Sequence, residues 1–129
     1  MKLIDTDIVI DHFHGHQATL DYFAETMVAG EILAISIVTL TELLSGMRSG
    51  EEKRTERLLA MFQLVDINEA IGRQAGVYLQ QFRRSHHIEL GDALIAATAA
   101  HLDAEMNTRN QKHYPMRDIA VVVPYKRGH

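Results

Sequence analysis

Asp5, Glu42, Asp92 and Asn110 are far apart in the chain, yet each stands where a predicted strand hands over to a helix or loop. In open α/β sheets, ligands bind outside the carboxyl ends of the strands, so residues at several such ends can converge in one crevice. Carboxylates gathered there repel one another unless something positive joins them. A hard divalent cation meets that need, because Mg²⁺ and Mn²⁺ prefer oxygen ligands. The chemistry expected of the set is metal-dependent phosphodiester hydrolysis.

Each of these residues also has a plainer reading. Asp5 and Asp7 flank Thr6 at the end of the first predicted strand, and Thr6 or Asp7 can cap a helix starting at Ile8. Asp5 is taken as a metal ligand and Asp7 as a cap. Thr39 and Glu42 have the spacing of a capping box, and spacing alone does not separate that role from a catalytic one. Asp92 opens a nearly all-apolar helix, where an acid is favoured by about 0.3–1 kcal/mol against the helix dipole. With Glu89 three residues earlier, two acids at the mouth of a buried helix exceed what capping requires. Asp92 is therefore read as a ligand and Glu89 as a supporting or solvated residue. Arg109 and Lys112 flank Asn110 and could hold phosphates beside the metal. His12, His14 and His16 alternate, and residues two apart do not share a helix face, so they and His86 and His87 are read as solvated rather than as zinc ligands.

A chain of 129 residues, 47% hydrophobic, has room for one domain with a real core, 1–129. It contains no cysteine, which excludes disulfides, thiolate metal sites and a cysteine nucleophile. There is no basic start followed by an apolar stretch and no run of about 18 apolar residues. The expected location is cytoplasmic, without a membrane span. The net charge of −4 is unusual for a polyanion binder. With Asp5, Glu42 and Asp92 set aside as ligands, however, 14 of the 17 acidic residues remain against 13 basic ones, so charge neither supports nor excludes nucleic acid.

The elements that must position these residues follow from the patterning. Residues 2–5 form a short apolar strand before a helix. Residues 32–38 are near-continuously apolar, as in strands buried on both faces of a parallel sheet, and Thr39 is expected to cap the next helix. Charged residues 50–61 suit a helix, 63–67 a third strand, and Asn68 the cap of a helix running to about Arg84. Residues 91–103, rich in Ala and Leu, predict a buried central helix. Strands around 104–107 and 119–123 complete the count, with Pro124 stopping the last. Loose segments are expected near Gly15, Gly30 and Gly50 and in the C-terminal tail. Alternating strands and helices mean a parallel sheet.

Four stretches, LIDTDIVID, SIVTLTELLSG, IELGDALIAATA and NTRNQKHY, occur in an order and spacing that resemble a PIN-domain ribonuclease of the VapC toxin type. The resemblance covers nearly the whole chain. It implies a three-layer α/β/α sandwich around a central parallel sheet of about five short strands. It also implies Asp5, Glu42 and Asp92 as the first three acids of the site, with Asn110 at the usual fourth acidic position and Thr108 as the polar residue beside it. Asp5, Asp92 and Glu42 would hold Mg²⁺ or Mn²⁺, and Thr6, Thr108, Arg109 and Lys112 would contact substrate. The implied activity is hydrolysis of RNA, with transfer RNA the family's usual target. The implied partners are a cognate VapB-type antitoxin and a second copy of the chain. Asn110 is a departure: an amide can offer its carbonyl oxygen but cannot act as a base.

Two other readings compete. A PIN domain that only binds a partner is suggested by Asn110. A haloacid-dehalogenase-like phosphatase is suggested by Asp5-Thr6-Asp7 with Val9, but the chain lacks room for that core and an evident downstream Lys and Asp pair.

Overall fold

In the computed structural model, which describes residues 1–126, the apolar stretches become five short strands: β1 (Lys2–Ile4), β2 (Leu33–Ser36), β3 (Gln63–Val65), β4 (Glu105–Asn107) and β5 (Val121–Val122). They form one sheet in the order β3-β2-β1-β4-β5, and every pairing is parallel. Six helices fill the connections: α1 (Thr6–Phe13), α2 (Gln17–Val28), α3 (Ile37–Ser45), α4 (Glu52–Leu59), α5 (Glu69–His86) and α6 (Leu90–Leu102).

Side chains alternate across a strand, and that alternation divides the core into two layers. Leu3, Ala34 and Met106 join Ile71, Ala75 and Tyr78 of α5 and the alanine-rich face of α6. Ile4, Leu33 and Ile35 point the other way, to Ile8 and Val9 of α1, Phe23 of α2, Leu43 of α3 and Leu58 of α4. The result is the expected three-layer sandwich. Each large apolar side chain removed from water, such as Ile71 or Ile35, contributes roughly 1.5–3 kcal/mol. In α6, Thr98 is fully buried because its hydroxyl donates to the Leu94 carbonyl one turn back.

The long helices begin where their caps dictate. The Asn68 side chain accepts the Ile71 N–H at 2.9 Å, so Asn68→Ala should lower stability by about 1 kcal/mol in urea unfolding. A change under a few tenths would contradict that role. Gly15, Gly30 and Gly50 all take positive φ, the left-handed conformation that closes the three predicted loops.

Several boundaries differ from expectation. The second strand stops at Ser36 rather than at 38, because the Ser36 hydroxyl accepts the Val38 N–H and starts α3 there. Likewise α1 begins at Thr6, with Asp5 as its N-cap. Helix α2 was not anticipated. Its buried stripe is Thr19, Phe23 and Thr26, two of them polar residues that hide the apolar period. They are buried with partners: the Thr19 hydroxyl donates to that of Tyr125, and the Thr26 hydroxyl donates to the Tyr22 carbonyl. His12, expected to be solvated, lies half-buried in α1 and stacks on Phe23 at 4.6 Å. Of the C-terminal tail, 127–129 lie outside the described residues.

Candidate active site

The strand order runs 3-2-1 to one side and 4-5 to the other, so its direction reverses between β1 and β4. A crevice is expected at such a switch point, outside the carboxyl ends of the strands, and Asp5 follows β1 there as Thr108 follows β4. The two are locked together. Asp5 Oδ2 accepts the Thr108 hydroxyl at 2.7 Å, Oδ1 accepts the Thr6 N–H at 2.8 Å, and the Asp5 N–H donates to the Asn107 carbonyl at 2.9 Å. Thr108 is held in turn, its Oγ1 accepting the Asn110 N–H at 2.9 Å.

Thr6 links this pair to α3. Its hydroxyl donates to Glu42 Oε1 at 2.9 Å and lies 3.0 Å from the Thr39 hydroxyl. Since Thr6 has one proton and gives it to the carboxylate, Thr39 donates to Thr6. Thr39 and Glu42 therefore do not form the capping box that their spacing allows. Ser36 caps α3, and Glu42, exposed, turns to the crevice.

Asp92 does act as a cap. Its Oδ2 accepts the Glu89 N–H at 3.0 Å in a capping box whose other half is the Glu89 side chain. Glu89 thus serves α6 itself. The half-buried Asp92 carboxylate also faces His113 Nδ1 at 3.6 Å. His113 lies 3.3 Å from the Asn110 amide, so Asn110 meets the site through His113.

Tyr114 stands between the two groups. It is 3% exposed, and the charges of Asp5, Asp92 and Asp7 all act on its hydroxyl, which makes no hydrogen bond of good geometry among the described residues. Burial, then the Asp5 and Asp92 charges, holds its pKa well above the usual phenol range. Burial and the neighbouring Asp7 charge push Asp5 up to about 7, against the opposing pull of Thr108, the Thr6 N–H and Tyr114. Asp7 is raised too, chiefly by burial.

Among the described residues, no three Asp, Glu or His side chains lie close enough to enclose a metal ion as they stand. The expected three-carboxylate cluster is thus not preassembled. Its members are held by local donors: Thr6 and Thr108 on Asp5, Thr6 on Glu42, the Glu89 backbone on Asp92. The site nevertheless fits Mg²⁺ or Mn²⁺. Mg²⁺ keeps several waters and takes only one or two carboxylates, and an oxygen-only set with a buried hydroxyl that makes no well-formed hydrogen bond suits such an ion. Asp5 and Asp92 could hold it, with Glu42 reaching it through water.

Of the other expected contacts, Lys112 is exposed and makes no ion pair among the described residues. Arg109 is committed elsewhere. Its Nε lies 2.7 Å from Asp11 Oδ2, an ion pair by distance rather than a well-angled hydrogen bond, and its N–H donates to Asp7 Oδ2 at 3.1 Å. The guanidinium braces the loop after β4 against α1 instead of standing free for phosphate. Asp7 also accepts the Ile8 N–H inside the first turn of α1, while the N-cap expected of Asp7 falls to Asp5. Asp11, 2% exposed, further accepts the Tyr125 hydroxyl at 3.0 Å. Asp11 and Tyr114 went unnoticed in the sequence. The available signal for Asp11 was its position four residues after Asp7, on the same helix face.

Fold and site together define a small α/β domain with an acidic crevice at the switch point of its sheet. Residues 2–119 match the family model of the PIN domain. The chain is 44% identical over 117 residues to ribonuclease VapC10 of Mycobacterium tuberculosis, spanning 90% of this chain and 87% of that protein. To ribonuclease VapC19 of the same organism it is 39% identical, over 90% of this chain and 94% of the other. A solved toxin-antitoxin complex from Klebsiella pneumoniae contains a chain 29% identical, with a TM-score of 0.78 and coverage of 98% of this chain and 99% of that one. VapBC-1 from nontypeable Haemophilus influenzae, at 23% identity and a TM-score of 0.81 over 97% of this chain and 98% of that one, shares the fold. The chain belongs to the PIN domain family, in its VapC branch. That membership leaves no place for the haloacid-dehalogenase reading.

Proposed function

We propose that this chain is the toxin of a type II toxin-antitoxin pair and a Mg²⁺-dependent endoribonuclease. The observation that carries the reading is Asp5, buried at the junction of β1 and β4, fixed by both strand ends and raised in pKa. Keeping an acid there costs the apo protein stability that a bound cation would return. The names of the relatives, ribonuclease VapC10 and VapC19, support the same chemistry.

When bound, the cation supplies stabilisation of charge on the phosphate oxygens and activates water. The chain's residues do the rest. Asp5 and Asp92 would hold the ion, and Thr108 and the Thr6 N–H favour the ionised Asp5 that binding would require. Glu42, exposed at the rim and oriented by Thr6, can take a proton from the attacking water. Lys112, exposed and without an ion pair among the described residues, would meet the RNA backbone; Asn110 holds Thr108 through its backbone N–H, and its neutral amide does not act as a base.

An antitoxin of VapB type and a second copy of the chain are the proposed partners, by analogy with the complex from Klebsiella pneumoniae. The acidic crevice suits a basic segment of such an antitoxin. The domain is taken as single over 1–129, and the proposed substrate class is RNA, with transfer RNA foremost. No described helix is long and apolar enough to cross a membrane, in keeping with the proposed cytoplasmic location.

Asp92→Asn tests the site without unseating α6, because an asparagine oxygen can still accept the Glu89 N–H. RNA cleavage in Mg²⁺ is expected to fall at least about 100-fold, the effect of roughly 2.7 kcal/mol, with unchanged thermal unfolding. Full activity would remove Asp92 from the site. A wild-type chain free of antitoxin that cuts no RNA in Mg²⁺ or Mn²⁺ would favour a binding-only PIN domain.

A further inference from the structure

We propose that Tyr114 is a positioning residue of the acidic site, its hydroxyl donating to the oxygen atoms that gather between Asp5 and Asp92, a water of the bound cation among them. The inference rests on reading Asp5 and Asp92 as the holders of that cation. Tyr114 follows the short 3-10 helix Gln111–His113, and its ring belongs to the core cluster that includes Leu3, Ile88 and Met106. Packing therefore fixes where the hydroxyl sits. It is buried and makes no well-formed hydrogen bond among the described residues, although Asp5 engages it loosely and the charges of Asp92 and Asp7 act on it.

A buried hydroxyl whose hydrogen bond is poorly formed is destabilising, and phenylalanine would fill the same core position without that cost. The tyrosine is thus poorly explained by packing alone. It is explained if an oxygen atom arrives within its reach when the site is loaded. A phenol carries its proton near neutral pH, so it acts as a donor rather than as a ligand. Donors of this kind orient the groups that hold a metal, and their loss typically weakens metal affinity about 10- to 100-fold.

Tyr114→Phe separates the two roles because they predict opposite behaviour. A packing residue would leave metal affinity unchanged. A positioning donor, only loosely engaged by Asp5 in the metal-free protein, would leave apo stability equal or higher while weakening metal binding. The experiment is a Mn²⁺ titration of the full chain followed by electron paramagnetic resonance, on wild type, Tyr114→Phe and Asp5→Asn, with thermal unfolding in chelator alongside. We expect Tyr114→Phe to bind Mn²⁺ about 10-fold or more weakly with an unfolding temperature no lower than wild type. If Asp5→Asn loses the ion and Tyr114→Phe binds like wild type, the proposal is overturned and the site reading stands. If wild type binds no Mn²⁺, or Asp5→Asn binds it as wild type does, the site reading fails and the proposal fails with it. A Tyr114→Phe protein that loses affinity and stability together also overturns it, since disrupted packing then accounts for both.

Discussion

Asp5→Asn should lower RNA cleavage by about 10³-fold or more, the effect of some 4 kcal/mol of lost transition-state stabilisation, and at the same time stabilise the cation-free protein at alkaline pH. The second effect follows from burial. Asp5 is pushed up to about 7 by desolvation and by Asp7, so between the ordinary carboxylate range and pH 7 the folded chain holds a proton that the unfolded chain has released. Stability therefore falls as pH rises through that window and levels off above about 7. The full penalty is at most about 4 kcal/mol, and asparagine avoids it. Its carbonyl can accept the Thr6 N–H and its amide can donate to Thr108 Oγ1. In chelator at pH 8 the variant should unfold at a higher temperature than wild type, and near pH 4 the advantage should vanish. A variant less stable than wild type at pH 8 would mean that the Asp5 hydrogen bonds outweigh its desolvation.

The second large effect is expected away from the acids. Asp11→Ala should cost about 3 kcal/mol, because it strips the partner from a guanidinium with little solvent access and leaves the Tyr125 hydroxyl without an acceptor it now has. Arg109 and Asp11 have side-chain exposures of 27% and 3%, so water compensates only in part. The loss should reach the site, since Arg109 ties the segment after β4 to α1 and its neighbour Thr108 holds Asp5. Urea unfolding and RNA cleavage should thus both deteriorate, and Asp11→Asn, which keeps oxygen acceptors, should deteriorate less. An Asp11→Ala change under about 0.5 kcal/mol, the level of an ordinary surface substitution, would show that the pair does not brace the loop.

The layered fold was legible because β2 is buried along its whole length and, with most of β1, reads as an apolar run, and because Asn68 and the alanine-rich α6 carry strong local signals. Helix α2 was not, since threonines replace aliphatic residues on its buried stripe, one satisfied by Tyr125 and the other by the Tyr22 carbonyl one turn back. At the site, the acids at strand and helix ends were visible as residue types. Their alliances were not. Glu42 has the spacing of a cap for α3, yet Ser36 takes that place one turn earlier and frees it for Thr6. Arg109 reads as a phosphate contact until α1 presents Asp11 to it. Tyr114 looks like any core aromatic, and only the folded arrangement brings its hydroxyl under the charges of Asp5, Asp92 and Asp7. Thr108 and Asp5, 103 residues apart in sequence, meet because β1 and β4 are neighbours, a fact no local pattern contains.

The most direct test of the central claim is cleavage of RNA by purified wild-type chain and Asp5→Asn, prepared in parallel and free of antitoxin, in Mg²⁺ and in chelator, with the new RNA ends mapped. Discrete cuts by wild type in Mg²⁺ alone, absent from Asp5→Asn, are the predicted result. Equal cutting by both proteins, or cutting by wild type that chelator does not stop, would contradict a metal-dependent ribonuclease site built on Asp5.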